Sequence, residues 1–280
     1  MRRLFGARRQ PTERVVFPEN YEWAPEDTSF ITGNGIAARC RYVLNYHGFR
    51  VNEDVENDWC FCKTDFLEEF FAEHEPRSSY VLFSGNSDYP IDARYKRHLG
   101  SRRLRAWFAM NVELDQPKLH PIPIGLADPH WPHGDTAAMK RVQREPEPKS
   151  RIFDTSFSPA TNPEVRGYCL EQTGLAVTPP RPFEEYLRAI SGAYFCISPR
   201  GNGLDCHRTW EALYLRTVPV VTRSILTDRH PDLPMIVLGD WSEFRSIEFT
   251  PGLYKRTWGD WSPDALGLDA YLARVRRMLA

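Results

Sequence analysis

The hydrophobic residues of the chain fall into short runs that alternate with segments of helical spacing. The short runs predict strands, at residues 29–32, 59–62, 80–84, 104–110, 119–124, 151–154, around 177, 193–198, 218–222 and 235–238. The segments between them predict helices, among them 36–45, 65–71, 183–190 and 204–215. Strands that alternate with helices form mostly parallel sheets through right-handed crossovers. The pattern therefore predicts an α/β fold.

Residues 127–150 interrupt this alternation, because prolines are spaced through charged residues there, as in Glu145-Pro146-Glu147-Pro148-Lys149. Such a composition is typical of a surface linker. We therefore expect an irregular N-terminal arm (1–28), two Rossmann-like domains (29–148 and 149–262) that face a central cleft, and a closing helix (263–280). The closing helix should bury one apolar face, formed by Leu268, Tyr271, Leu272, Val275 and Leu279.

Composition and charge narrow the possible partners. The formal net charge of −1 gives the whole molecule no attraction for nucleic acid or an anionic membrane, so any anion site must be local. The basic N-terminus lacks the apolar core of a signal peptide, and no apolar run approaches the ~20 residues that cross a bilayer. We expect a cytoplasmic protein without a transmembrane segment. Cys60 and Cys62 are the closest pair among six cysteines, and without a second pair we expect no zinc site.

The segment 196–221 joins a strand, a glycine-containing turn, a helix and another strand. In parallel α/β sheets, ligands gather at the carboxyl ends of strands. Gly201 and Gly203 permit close backbone approaches, and Asp205 is a suitable N-cap for the helix that follows. The free N–H groups and dipole of a helix N-terminus favour an anion. The segment therefore predicts an anion site.

Two arginines and a glutamate give this site a more specific chemistry. Arg200 in the turn and Arg208 in the helix could converge on one diphosphate, where each bidentate contact contributes about 1.5–3 kcal/mol. Glu211 lies on an adjoining helix face and suits two ribose hydroxyls. Ser198, Asp205 and His207 are further cleft candidates. The alternative is that the charged residues form surface ion pairs and that Gly201-Asn202-Gly203 is only a tight turn.

The string FCISPRGNGLD at 195–205, followed by HRTWEAL at 207–213 and VPVV at 218–221, resembles the motif of exostosin-type glycosyltransferases, in particular small bacterial and viral members. SGNSDY at 84–89, WFAMN at 107–111 and PIPIG at 121–125 extend the resemblance to about residues 80–245. It implies a GT-B fold, with the nucleotide sugar held mainly by the C-terminal domain. It further implies metal-independent, mostly inverting transfer without a cofactor, in polysaccharide biosynthesis.

By position, the resemblance implies roles for single residues. The donor diphosphate would contact Arg200, Gly201, Asn202, Gly203, Arg208, Arg166 and Asn162, and the donor ribose would contact Glu211. The donor would be UDP- or GDP-linked, and the acceptor a glycan or a lipid-linked glycan. The chain departs from GT-B patterns at 156–160, where SFSPA stands in place of a glycine-rich loop.

Inverting transfer requires a base for the acceptor hydroxyl. Asp88 is the candidate because it follows a predicted strand in a glycine-containing loop, although an aspartate there could equally be a turn residue. His130, His133 and Asp128 are weaker candidates.

Two other functions remain open. A metal-dependent transferase of GT-A type needs an Asp-x-Asp motif at a strand end, and the nearest acidic string is the loop 53–58. The second alternative is a non-catalytic nucleotide-sugar-binding protein.

Overall fold

The computed structural model describes residues 29–280, which form a mixed α/β fold built on two β-sheets. The strands of the first sheet are β1 (Tyr42–Asn45), β2 (Gly48–Val51), β3 (Trp59–Lys63), β4 (Tyr80–Gly85), β5 (Leu104–Ala109) and β6 (Leu119–Pro121). Those of the second are β7 (Arg151–Asp154), β8 (Ala193–Ile197), β9 (Val218–Thr222) and β10 (Ile236–Leu238). The predicted α/β class is confirmed, and both sheets are compatible with Rossmann-like folds. The arm predicted for 1–28 lies outside the described residues.

The six-stranded sheet has the order β2-β1-β3-β4-β5-β6, and all its pairs are parallel except the β1–β2 hairpin. Because side chains alternate between the faces of a strand, its two faces are separate apolar surfaces. Phe61, Phe83 and Phe108 are register partners on the face that belongs to the larger core. Leu82 and Trp107 pair on the opposite face, which belongs to a second, smaller core. Both faces are therefore buried.

The four-stranded sheet is entirely parallel, in the order β10-β9-β8-β7. Its strands, like the parallel strands of the first sheet, follow one another in chain order. A doubly wound sheet instead reverses its strand order, and ligands bind in the crevice at the reversal. The parallel strands of neither sheet reverse their order, so neither sheet forms such a crevice between its parallel strands.

The helices lie before, between and after the strands along the chain and vary in length. They are α1 (Gly33–Ala37), α2 (Leu67–Glu69), α3 (Lys96–Leu99), α4 (Thr136–Arg144), α5 (Pro163–Thr173), α6 (Phe183–Ser191), α7 (His207–Tyr214), α8 (Ile225–Arg229), α9 (Pro251–Trp258) and α10 (Leu268–Leu279). None of those in the range 29–280 is long and apolar enough to cross a membrane.

One continuous core connects the two sheets. It includes Phe83 and Phe108 from the first sheet, Phe195 from β8 and Trp210 from α7. The C-terminal helix α10 also reaches the first half of the chain, where the guanidinium of Arg276 lies 5.2 Å from the ring centre of Trp59. Of the apolar face predicted for this helix, Leu268, Tyr271, Leu272 and Val275 are buried and Leu279 is half-buried.

Three predicted elements are wrong. Residues 29–32 are not a strand, because Thr32 is the N-cap of α1 and its hydroxyl accepts a hydrogen bond from Gly35 N at 2.9 Å. Residues 36–45 are not one helix, because β1 pairs with β3 and forms a hairpin with β2. The segment around Val177 forms no strand. Instead, the Thr155 hydroxyl donates to the Ala176 carbonyl at 2.7 Å.

The segment 127–150, predicted to be a surface linker, contains helix α4. Asp135 caps the helix by accepting from Ala138 N at 2.8 Å. Ala138, Met139 and Val142 are buried in the larger core, since their spacing places them on one helix face. The linker prediction is therefore wrong for residues 136–144, where an amphipathic helix lies between the prolines.

Candidate functional site

The loop after β8 connects that strand to helix α7. The prediction that the helix begins near Asp205, with Asp205 as its N-cap, is wrong, because α7 begins at His207 and Cys206 is the N-cap residue. The Asp205 carboxylate instead turns towards the first half of the chain. Its Oδ2 accepts from Ile124 N at 2.9 Å and from Trp210 Nε1 at 2.7 Å. Burial raises the pKa of Asp205 to about 6.

A small groove with a volume of about 30 Å³ lies where β8 and β9 end. It is lined by Ser198, Arg200, Leu204, Asp205, Cys206, Thr209, Val221, Thr222, Ser224, Leu226, Thr227 and Met235. Three of the predicted site residues, Ser198, Arg200 and Asp205, are therefore in the groove wall. Arg200 is exposed, so its guanidinium is the accessible cation of this wall.

Both glycines of the loop lie close to protein side chains, and the contact is closer at Gly203. A Cβ at Gly203 would lie 2.8 Å from Oδ1 of Asn111, a distance that real Cβ contacts do not reach. A Cβ at Gly201 would lie 3.2 Å from Nη2 of Arg166. Asn202 between them is exposed.

Asn162 and Arg166 lie against the same loop, as their predicted shared site requires. Asn162 Nδ2 donates to the Gly201 carbonyl at 2.8 Å, and its Oδ1 caps α5 by accepting from Val165 N at 3.2 Å. Arg166 Nε donates to the Arg200 carbonyl at 3.2 Å. Both side chains, at the start of α5, thus hold the loop through its backbone carbonyls.

Arg208 does not line the groove. Its guanidinium is 6% exposed and forms an ion pair with Asp154, whose side chain is 1% exposed. All five of its N–H hydrogens have protein acceptors, namely the carbonyls of Ile197, Ser156 and Asp154, the Tyr186 hydroxyl and the Asp154 carboxylate. Arg200 and Arg208 therefore do not converge in this structure, because the acceptors at the ends of β7 and β8 hold Arg208 inside the protein.

Glu211 belongs to the same buried network. It is 3% exposed, and its Oε2 accepts a 2.5 Å hydrogen bond from the Tyr186 hydroxyl. Burial raises the pKa of Glu211 to about 7. The ribose contact of Glu211 stays a prediction, and it requires that Tyr186 give way.

The loop that carries Asp88 is connected to the groove loop through the side chain of Asn111. Asp88 is exposed, and the carbonyl of the preceding Ser87 accepts from Asn111 Nδ2 at 2.8 Å. Asn111 Oδ1 in turn accepts from Leu204 N at 2.9 Å and from Asp205 N at 3.0 Å. One side chain thus connects the candidate base loop to the candidate phosphate loop.

A polar cluster supports the start of the Asp88 loop. Asn86 Nδ2 donates to Asp128 Oδ2 at 2.9 Å and to Asn34 Oδ1 at 3.2 Å, and Asn34 N donates to Asp128 Oδ1 at 2.9 Å. Burial raises the pKa of Asp128 to about 6. Asp128, a weaker base candidate, therefore serves as an acceptor for both asparagines.

His207 also connects the two halves of the chain. Its Nδ1 lies 2.8 Å from the Gly125 carbonyl, so Nδ1 carries the hydrogen. Burial lowers the pKa of His207 to about 4, which keeps the ring neutral at pH 7. His133 lies 6.0 Å from it between ring centres. His130, the other weaker candidate, contacts Trp131 at 5.0 Å between ring centres.

Asn111 and Asn86 are not among the predicted site residues. Both have φ of 54°, a left-handed conformation that asparagine tolerates better than most residues. An asparagine at the end of an apolar strand run, as in Met110-Asn111 and Gly85-Asn86, is the signal that could have identified them.

Cys60 and Cys62 are buried free thiols of β3. Within residues 29–280, no group of three or more His, Cys, Asp or Glu side chains is arranged to hold a metal ion.

The chain matches no protein-family model and no curated protein sequence. Because a fold hosts many functions, the function has to be inferred from these side chains and their geometry.

Proposed function

We propose that this protein is a glycosyltransferase that moves a sugar from a nucleotide-diphosphate sugar to a hydroxyl of a glycan or a glycan precursor. In this proposal the two sheets are the halves of a GT-B-like enzyme, and the transfer is inverting and metal-independent. The observation that carries the proposal is that one side chain bridges two loops. The groove loop with Arg200 and the loop with Asp88 meet at Asn111. The resemblance of residues 195–221 to exostosin-type transferases supports the same assignment.

The donor diphosphate would lie against the groove after β8. Arg200 supplies the accessible guanidinium, which suits bidentate phosphate contact. The first turn of α7 opens on the same groove, and its N-cap residue Cys206 makes no side-chain capping bond. Backbone N–H groups at a helix N-terminus favour an anion. A pyrophosphate would therefore meet a cation and a helix dipole together.

Arg208 takes a different role from the one the motif suggests. Because four of its five hydrogens bond to Ile197, Ser156 and Asp154, at or just beyond the ends of β7 and β8, it would position these strand ends and the loops that follow them. Positive potential from a guanidinium that is paired with Asp154 is largely neutralised at the groove. This pairing is also the observation that favours the second candidate, a non-catalytic nucleotide-sugar-binding protein, since Arg200 is then the one arginine or lysine of the groove wall that could stabilise a departing diphosphate.

The base for the acceptor hydroxyl would be Asp88. It is exposed in the loop after β4, at the carboxyl end of a buried parallel strand. A carboxylate there can accept a proton from a bound hydroxyl while the diphosphate leaves on the groove side. The acceptor would approach from the first half of the chain and the donor from the second.

Donor binding tests the first part of the proposal. UDP-, GDP-, CMP- and dTDP-sugars are screened by thermal shift, and the nucleotide that raises the melting temperature is titrated calorimetrically. Arg200→Ala should weaken the diphosphate about 10-fold or more, since a charge-assisted contact contributes about 1.5–3 kcal/mol. Affinity for the nucleoside should stay within about 2-fold. Arg181→Ala, an exposed arginine outside the groove, is the matched control. Equal losses of affinity for the nucleoside and for the diphosphate would contradict the assignment of Arg200 to the diphosphate.

An assay of sugar transfer tests the second part of the proposal, the role of Asp88 as the base. Sugar release and transfer are followed with and without a chelator, and Asp88→Asn should abolish transfer while donor affinity stays unchanged. Asp54→Asn, an exposed aspartate of the acidic loop 53–58, is the control. Loss of activity in chelator or in Asp54→Asn would favour the metal-dependent alternative. Donor binding without release or transfer would favour the binding protein.

A further inference from the structure

Asn111 bonds to three backbone groups through one short side chain. It follows β5, is 4% exposed and has φ of 54°. Its Oδ1 accepts from the backbone of Leu204 and Asp205, and its Nδ2 donates to the carbonyl of Ser87. The same amide therefore bonds to a loop after β4 and to the loop after β8.

The packing around Asn111 admits few alternatives. Gly203 lies so close that any larger residue would strike the Asn111 side chain. Asp205 adds a second connection to the first sheet, because its Oδ2 accepts from Ile124 N, just beyond β6. The loop after β8 thus bonds to the first half of the chain at two neighbouring positions, and of these two the Asn111 position extends to the Asp88 loop.

The chemistry of the bridge requires an amide. The Leu204 and Asp205 N–H groups need an acceptor, whereas the Ser87 carbonyl needs a donor. A carboxylate of the same size offers acceptors only. A carboxylate would leave the Ser87 carbonyl without a donor, and a residue without a polar side chain would leave all three backbone groups to find other partners.

We propose that Asn111 is a positioning residue that holds the Asp88 loop and the Arg200 loop in register across the two halves of the chain. The inference rests on the proposed function in one respect, namely that donor and acceptor occupy these two loops. Displacement of reacting groups by about 1 Å can cost about 100-fold in rate. Loss of the bridge should therefore lower kcat far more than it raises KM for the donor.

Two substitutions separate the halves of the bridge. Asn111→Asp keeps the acceptor for Leu204 and Asp205 but turns an oxygen towards the Ser87 carbonyl. Asn111→Gly removes the whole side chain and still permits the left-handed backbone. Amide hydrogen exchange should rise in residues 84–90 alone for Asn111→Asp, and in both 84–90 and 199–206 for Asn111→Gly.

Asn57 provides a matched control. Its Oδ1 accepts from Trp59 N at 3.0 Å and Arg41 N at 3.3 Å, and its Nδ2 donates to the Arg39 carbonyl at 2.9 Å. This is the same bonding pattern, located at the amino end of β3. Asn57→Asp and Asn57→Gly should change exchange near residues 39–59 and leave both bridged loops protected.

The hydrogen-exchange experiment tests the Asn111 bridge whether or not the protein transfers sugar. If neither Asn111 variant changes exchange in 84–90, or if the Asn57 variants loosen the same loops, the proposed bridge is wrong. In an enzyme that transfers sugar, Asn111→Asp should lower kcat about 100-fold with KM for the donor within about 3-fold. Equal changes in kcat for Asn111→Asp and Asn57→Asp would overturn the positioning role. A wild-type protein without transfer would instead refute the proposed function alone.

Discussion

Asp154→Asn removes the negative charge that faces the buried Arg208 guanidinium and leaves the size of the side chain almost unchanged. The backbone carbonyl of residue 154 still accepts from Arg208 Nη2, and Ser156 Oγ, which now donates to Asp154 Oδ2 at 3.0 Å, can rotate to accept from the new amide. The main change is thus electrostatic. Breaking a buried ion pair from one side costs about 3–5 kcal/mol, because the remaining charge is left without compensation.

The assay is urea denaturation at pH 7, where the midpoint should fall at constant slope. A loss of this size corresponds to a melting temperature lower by about 10 °C in a protein of this length. Asp115→Asn is the control, because it breaks an exposed ion pair with Arg229 and should cost less than about 1 kcal/mol.

A double substitution keeps the experiment decisive if Asp154→Asn does not fold. Asp154→Leu with Arg208→Met removes both charges, and apolar replacement of a buried pair is often neutral or stabilising. The double variant should therefore be more stable than Asp154→Asn. A loss for Asp154→Asn no larger than that of the Asp115 control would refute the reasoning, and Arg208 would again be available to a diphosphate.

Two further predictions concern the loop and the helix of the candidate site. Gly203→Ala should lower the free energy of unfolding by about 1–3 kcal/mol, since its Cβ would meet the Asn111 side chain. Gly167→Ala, in helix α5 with open space around it, should raise it by about 0.5–1 kcal/mol, and a thermal melt of both variants checks the contrast. Burial raises the pKa of Glu211 to about 7, so folding takes up a proton and stability falls as pH rises from about 4.5 to 7. Glu211→Gln keeps a partner for Tyr186 and should remove up to about 3 kcal/mol of this decline, whereas parallel pH–stability curves for both proteins would contradict the prediction.

Several parts of the fold could be read from local spacing. The strands β3, β4, β5, β8 and β9 coincide closely with apolar runs, because their burial on both faces requires almost continuous hydrophobicity. Helix α10 could be predicted because its apolar residues recur at helical spacing on the one face that is buried. The groove loop was located correctly between β8 and α7, since glycine and proline mark the end of a strand.

Other parts could not be read in this way. Strand β1 lies within a segment predicted to be a helix, because Tyr42–Leu44 become a strand through pairing with Cys60–Cys62. Helix α4 was mistaken for a linker, because its flanking prolines and charges outweighed nine residues of helical spacing. The direction of Arg208 depends on acceptors such as Asp154, a partner 54 positions away in the chain.

Local spacing along the chain is enough to predict the alternation of strands and helices and a glycine-containing loop at the end of a buried strand, since both depend on near neighbours in the chain. That Arg200 faces the groove while Arg208 is enclosed follows from the packing of distant segments. The same packing brings Asn111 between this loop and the Asp88 loop, across separations of 24 and 93 residues. Hydrogen-bond partners so far apart are chosen by the packing of two sheets around one core, which local spacing does not encode.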